Sequence, residues 1–374
     1  MNTGSERDNM SLKEHLKDLT LLPGPSGYEE AVGKYLYRFY QGLADSVETD
    51  VAGNLIACFR CGKENPRKAM VFAHMDSLGL IVKKIESNGF LRIERLGGIP
   101  EKTLPALEVL VRSETGRWIN GIIGNKSHHI TDASEKYKVI PYQELYIDLG
   151  VGNAQAVREL GIEVGCPVVY LPRFQELQNG NCYGTAMDNR GGCAVVMELA
   201  EMLKANPCED LDIYLVATVQ EEYNLRGGMV AAAAIKPDFA IALDVALTGD
   251  TPDMNDSLPV KVGSGPVLGM YNFHGRGTLN GSIPHPTLVK LTRDAAAECG
   301  MELQRFASCG MLTDASYVQL VDSGIPVIDL AFPCRYTHTS VEVCNVDDLR
   351  KLARLVEAVL HSVKKEICFR RDYS

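Results

Sequence analysis

The chain has 374 residues, 45% of them hydrophobic, enough for one large domain or two of ordinary size around a sizeable core. A formal charge of -10 and a pI near 5.4 give a field that repels polyanions, so neither nucleic acid nor an anionic membrane is an expected partner. A small or peptidic substrate is expected instead.

The first residues, "MNTGSERDNMSLKEHL", lack a basic start followed by an apolar core, and no stretch reaches the length needed to cross a bilayer. The expectation is a cytoplasmic protein starting at Met1 or Met10. Eleven cysteines, an odd number with paired spacing only in "CFRC" (Cys58 and Cys61), fit reduced thiols better than a disulfide framework. The triplets "NKS", "NDS" and "NGS" at 125, 255 and 280 are chance glycosylation matches without an export signal.

Residues 11 to 42 predict two helices broken by "LPGPSG", with Ser26 and Glu29 forming a capping box for the second. A hairpin is expected around Gly53, and "AMVFAH" (69 to 74) has no alternation, so it reads as a strand buried on both faces. From about 80 to 172 short alternating segments such as "LIVKKI", "FLRIERLG" and "WINGIIG" predict a small all-β insert. Helix and strand then alternate: helix 190 to 205, strand 211 to 219, helix 225 to 235, strand 238 to 245, helix near 286 to 299, strand 326 to 332 and a last helix from 346 to 364. This pattern predicts an α/β fold, a three-layer and mainly parallel sheet flanked by helices. Residues 1–79 and 173–374 would form one discontinuous catalytic domain, and 80–172 the β-rich insert.

In open α/β sheets ligands bind beyond the carboxyl ends of the strands. There "AHMD" places His74 and Asp76, "QEE" places Glu221 and Glu222, the strand from 238 places Asp244, "AMDNRGG" places Asp188, and "RYTHTSVE" places His338. A strand-end histidine alone is more often structural, an Asp before a helix more often a cap, and two glutamates after a strand more often solvated. Apolar strands that repeatedly end in His, Asp or Glu are not what solvated loops produce.

Two imidazoles with several carboxylates suit a pair of borderline divalent ions, zinc, cobalt or manganese, whereas magnesium or calcium favours oxygen alone. Two ions about 3.5–4 Å apart need a bridging carboxylate and a bridging water. A further carboxylate must stay unligated to take the proton of that water. Of the adjacent Glu221 and Glu222, one is therefore expected to be a ligand and the other the base. Asp76 is placed to hold the second ring nitrogen of His74.

With these residues in hand, the chain resembles the glutamyl and deblocking aminopeptidases of the tetrahedral TET type, some of which have been labelled cellulase or endoglucanase. The resemblance runs from "PGPSGYEE" to "RYTHTSVEV" through "AHMDSLGLIVKKI", "GTAMDNRGG", "TVQEEYNLRGG", "ALDV" and "GMLTDAS", in family order. It implies a zinc-peptidase-like fold with a PDZ-like dimerisation insert, dimers assembling to a dodecamer, and short peptides as substrates. It also implies two metal ions per subunit: His74 and Asp244 on one, Glu222 and His338 on the other, and Asp188 bridging. Glu221 would be the general base and Asp76 the His-orienting carboxylate. Ser77 stands where the family usually has Glu, and Asn224 where it has Gly. His128, His129, His274 and His285 are given no role, and the "GRGTLNG" glycines have the wrong spacing for a dinucleotide loop.

The expected activity is thus removal of the N-terminal residue of short peptides by a metal-bridging water. An amidohydrolase, deacylase or carboxypeptidase on the same scaffold is the alternative. A glycosidase would need only two carboxylates and would leave both histidines idle.

Overall fold

The structure, a computed structural model, describes residues 11–255, 257–275, 279 and 281–371. The alternative starts Met1 and Met10, and positions 256, 276–278 and 280 of the "NDS" and "GRGTLNG" stretches, lie outside the described residues. In chain order, helices α1 (Leu12–Leu21) and α2 (Glu30–Tyr40) precede a hairpin of β1 (Ser46–Thr49) and β2 (Leu55–Phe59), then β3 (Arg67–His74). Six strands follow: β4 (Gly79–Ile85), β5 (Leu91–Leu96), β6 (Glu108–Arg112), β7 (Trp118–Ile123), β8 (Tyr146–Asp148) and β9 (Pro167–Tyr170), with helix α3 (Ala154–Glu159) before the last. Next come β10 (Phe174–Glu176), β11 (Asn181–Gly184), α4 (Met187–Ala205), β12 (Leu211–Thr218), α5 (Gly227–Ile235) and β13 (Phe239–Leu247). The chain finishes with β14 (Val267–Phe273), β15 (Gly281–Ser282), α6 (Pro286–Glu298), β16 (Gln304–Cys309), α7 (Ala315–Val318), β17 (Val327–Cys334), β18 (Glu342–Asn345) and α8 (Val346–Ser362).

The main sheet has the order β1-β2-β12-β3-β13-β17-β14-β15, with β16 parallel to β14. Its centre, β12-β3-β13-β17, is parallel, and the strands flanking that centre join it antiparallel. Both faces of the centre are covered. Along β3, Ala69, Val71 and Ala73 pack into the core shared with α1, α2, α4 and α8, while Met70 and Phe72 pack on the other side against α5 and α7. This is why "AMVFAH" shows no alternation: a strand buried twice needs an apolar residue at every position. In α8, Leu349, Leu352, Val356 and Val359 recur at helical spacing and are all buried, each contributing about 1.5–3 kcal/mol relative to an exposed side chain.

The six strands β4 to β9 close into a barrel, β4-β5-β8-β7-β6-β9, with antiparallel pairing throughout. Its core, including Leu80, Val82, Ile93, Val109, Val111 and Ile147, is a cluster separate from that of the main sheet. The expected all-β insert is therefore a small barrel carrying one short helix that its alternating pattern did not announce. No helix among the described residues is long and apolar enough to cross a membrane, and all eleven cysteines are free thiols.

The expected capping box of α2 is not formed. The Ser26 hydroxyl donates to Asp76 Oδ2 at 2.6 Å, and Glu29 Oε1 accepts from the Gly27 N–H at 2.7 Å and the Gln220 N–H at 3.2 Å. Both side chains are drawn to the functional rim. A capping box does form at α1, between Ser11 and Glu14.

Candidate metal centre and active site

The carboxyl ends of the parallel strands bring the predicted residues together. β3 ends in His74; Asp188 lies at the entry to α4, where it and Asn189 have non-helical backbone. The sequence reading misplaces two strand ends. Asp244 lies three residues before the end of β13 rather than at its tip, and β12 stops at Thr218, so Glu221 and Glu222 sit in the turn beyond it. That turn is tight: Gln220, Asn224 and Leu225 all have positive φ (55°, 78° and 57°). Asn is the common non-glycine residue in that region, which suits Asn224 to its place. Gly227 closes the turn where a Cβ would meet the Val219 carbonyl oxygen at 2.3 Å.

His74 Nε2 lies 3.1 Å from Asp188 Oδ1 and 3.8 Å from Glu221 Oε2. His338 Nε2 lies 3.6 Å from Asp188 Oδ2 and 3.8 Å from Glu222 Oε2. Asp188 therefore offers one oxygen to each imidazole. Among the described residues two groups of side chains are compact enough to hold a metal ion: His74, Glu221 and Asp244, and His74, Asp188 and Glu222, with ligand atoms within 4.8 Å of one another in each. The first includes Glu221, the residue expected to be the base.

Asp76 does more than hold His74. Its carboxylate lies 3.4 Å from His74 Nδ1, which is also 3.2 Å from the Asp76 carbonyl, and it accepts the backbone N–H of Glu221 at 3.0 Å and of Glu222 at 3.1 Å. One buried carboxylate thus positions the imidazole and both glutamates. His74 and the Ser26 hydroxyl outweigh the burial that would raise it and keep Asp76 below its ordinary pKa. Ser77 fits the same scheme, its hydroxyl donating to the Gly24 carbonyl at 3.3 Å beside the loop that carries Ser26. Behind that loop the fully buried Arg190 donates to the same carbonyl at 3.3 Å, and burial lowers its pKa to about 10.

Electrostatically the cluster is unbalanced without a cation. Burial, and then the neighbouring carboxylates, push Glu221, Glu222 and Asp244 well above the usual carboxylate range. Burial would lower His74, but Glu221, Asp188 and Asp76 outweigh it and hold the ring well above its ordinary value. Glu222 Oε1 is buried with no hydrogen-bond partner. A divalent ion would satisfy that oxygen and remove the repulsion, so the donor set fits metal.

Several members of the site were not singled out from the sequence. Glu342, 2% exposed, accepts the N–H of Asp188 at 3.0 Å and of His338 at 2.6 Å, and burial with Asp188 nearby raises its pKa well above normal. Its signal was present as the final residue of "RYTHTSVE". Asp314, in "GMLTDAS", accepts the Thr218 hydroxyl at 2.7 Å, and burial raises its pKa to about 6. The Gly98 carbonyl oxygen, from the barrel, lies 2.7 Å from His338 Nδ1, so Nδ1–H donates to it and Nε2 is left facing the carboxylates. Of the unassigned histidines, His274 lines the cavity; His128 and His129 are exposed on the barrel, and His285 caps α6 through the Thr287 N–H.

Two predictions arise here. Glu342→Gln should weaken metal affinity about 10–100-fold, the usual cost of losing an outer-shell partner, with the fold retained by circular dichroism; unchanged affinity by calorimetry would remove Glu342 from the site. The second concerns Glu29, whose pKa is raised from 4.5 to about 7 by burial and by Asp76. A raised folded-state pKa contributes stability that is fully present below about pH 4.5 and lost as pH rises through about 7, here by up to about 3 kcal/mol. Metal-free protein should therefore gain stability relative to Glu29→Gln on acidification from pH 8 to 5, and a pH-independent gap in denaturant titrations would contradict this.

Buried carboxylates and imidazoles that need a cation, set at the rim of a parallel sheet beside an open cavity, mark a hydrolase of the metal-dependent peptidase type. The description M42 glutamyl aminopeptidase matches residues 53–355, and the chain belongs to that family as an aminopeptidase. It is 36% identical to the putative aminopeptidase SgcX of Escherichia coli (strain K12), over 94% of each chain. Aminopeptidase APDkam598 from the archaeon Desulfurococcus kamchatkensis superposes with a TM-score of 0.87 at 34% identity, covering 94% of this chain and 95% of that one. The Pyrococcus horikoshii TET1 peptidase, which can assemble into a tetrahedron or a large octahedral shell, gives a TM-score of 0.82 at 30% identity, covering 94% of this chain and 100% of that one.

Proposed function

We propose that the chain is a cytoplasmic dinuclear aminopeptidase of short peptides. In this reading His74 and Asp244 hold one divalent ion, Glu222 and His338 the other, and Asp188 bridges them. The observation that carries it is the position of Asp188 between the two histidines, one oxygen toward each. Residues 1–79 and 173–374 act as the catalytic domain, and 80–172 as the dimerisation insert of a homo-oligomer that builds up to a dodecamer. Exposed apolar side chains on the insert, Ile122, Ile130, Tyr137 and Val139, support an interface there.

Bound at this cluster, zinc or cobalt would make water a nucleophile at neutral pH and polarise the scissile carbonyl. Glu221 takes the proton of the attacking water and returns it to the departing amine. Asp76 keeps Glu221 and His74 in register for that transfer, because all three are joined through its carboxylate. Glu342 and the Gly98 carbonyl fix His338 from its backbone and ring sides.

The test is to strip the metal, restore cobalt or zinc, and assay aminoacyl-anilides beside their N-acetylated counterparts. Cleavage confined to free-amine substrates and dependent on added metal is expected. Equal cleavage of acetylated substrates would point to a deacylase or amidohydrolase.

A further inference from the structure

We propose that the cavity selects peptides whose first residue is apolar and uncharged, and that Leu247 and Met311 form the wall that selects it. This deepens the aminopeptidase reading and rests on it.

The cavity beside the cluster holds about 700 Å³, room for a short peptide. Its two sides differ in chemistry. On the Asp244 side, β13 continues past the cluster with Val245 and Leu247, and the 310–312 loop adds Met311 and Leu312. Leu247 and Met311 pack against one apolar group of Ala246, Val260, Val267, Phe306 and Ala331, which gives this wall a firm backing. The barrel contributes Arg95, Gly97 and Gly98 to the lining, and the Gly98 carbonyl meets His338.

A peptide anchored by its free amine at the carboxylate cluster places its first side chain against the lining beside that cluster. A lysyl or arginyl side chain would need a carboxylate outside the cluster, and the described lining residues supply none: the acidic ones are Asp188, Glu221, Glu222 and Asp244. An acidic first side chain would have to compete with Glu101 for Arg95, or meet His274, the lining imidazole outside the proposed ligand set. That guanidinium is already 3.6 Å from Glu101 and stacked 4.5 Å over the Tyr142 ring. With no carboxylate beside it for a basic side chain and Arg95 already paired, the apolar wall receives an apolar first side chain. Leucine or methionine there removes apolar surface from water on both partners.

The experiment is a panel of Leu-, Met-, Ala-, Glu- and Lys-anilides on the metal-restored protein, repeated with Met311→Lys and Met311→Ala. The parent should cleave Leu or Met with kcat/KM at least tenfold above Glu and Lys. In Met311→Lys the Glu-to-Leu ratio should rise tenfold or more, and in Met311→Ala the advantage of Leu over Ala should shrink. A parent led by Glu or Lys, or ratios unmoved in both variants, would overturn the inference while leaving the aminopeptidase reading standing. Failure to cleave any free-amine substrate would overturn both.

Discussion

Glu221→Gln should lose about 10²–10⁴-fold in kcat, the range of a positioned general base, while retaining the metal content of the parent. The substitution keeps the shape and the backbone N–H that Asp76 accepts at 3.0 Å, so the rim need not rearrange. What it removes is the ability to take a proton from water and give it to the amine. Metal content separates this role from the competing one, because Glu221 also falls in a group with His74 and Asp244 compact enough to bind an ion. Loss of one metal equivalent in the variant, by elemental analysis, would make Glu221 a ligand and send the search for the base elsewhere. Glu222→Gln is the partner measurement, and it should lose metal.

Metal removal should have the largest effect on stability. The side chains of Glu221, Glu222 and Asp244 are shielded from solvent with Asp188 in one cluster, and each repels the others when ionised. An ion bound at about 100 times its Kd would add about 2.7 kcal/mol, and about 4.1 at 1,000 times. For a chain of 374 residues, whose unfolding entropy is about 0.8 kcal/mol/K, that is a rise in Tm of roughly 3–5 °C for each ion on adding zinc or cobalt to stripped protein. Asp188→Ala should abolish most of the rise, because it removes the carboxylate between both histidines. It should also raise the Tm of the metal-free form, since one buried charge is gone. A parent whose Tm ignores added metal would show that the cluster is balanced by protonation instead.

Much of this was readable before any coordinates. The continuous apolar runs of β3, β12, β13 and β17 could only be strands covered on both sides, and a parallel sheet sends its carboxyl ends to one rim. His74, Asp76, Glu221, Glu222, Asp244 and His338 could therefore be gathered from the strand ends and the segments just beyond them, and Asp188 from the turn before a helix. What the sequence hid is what depends on long-range hydrogen bonds. Ser26 and Glu29 carry the spacing of a capping box, yet Asp76 and the Gln220 N–H compete for them across the fold and win. Glu342 looks like one more acidic residue near a turn until its oxygens are seen to hold the two backbone N–H groups beside the histidines. Helix α3 and the strands β14 to β16 at one end of the sheet were missed because short, partly exposed segments carry little periodicity.

The bond from His338 to the Gly98 carbonyl has a consequence for how this protein can change. The barrel has its own core, which would ordinarily leave it free to vary, shift or be lost like any appended module. Here its backbone supplies the acceptor that fixes the tautomer of a residue on the other unit. Gly97 reinforces the contact, since a Cβ there would stand 3.3 Å from the Glu222 carbonyl and 2.3 Å from the Leu78 side chain. An insertion that tilts the barrel by an ångström would therefore be felt first in the proton placement of one imidazole, long before the fold is at risk. The two units are obliged to evolve as a single machine part.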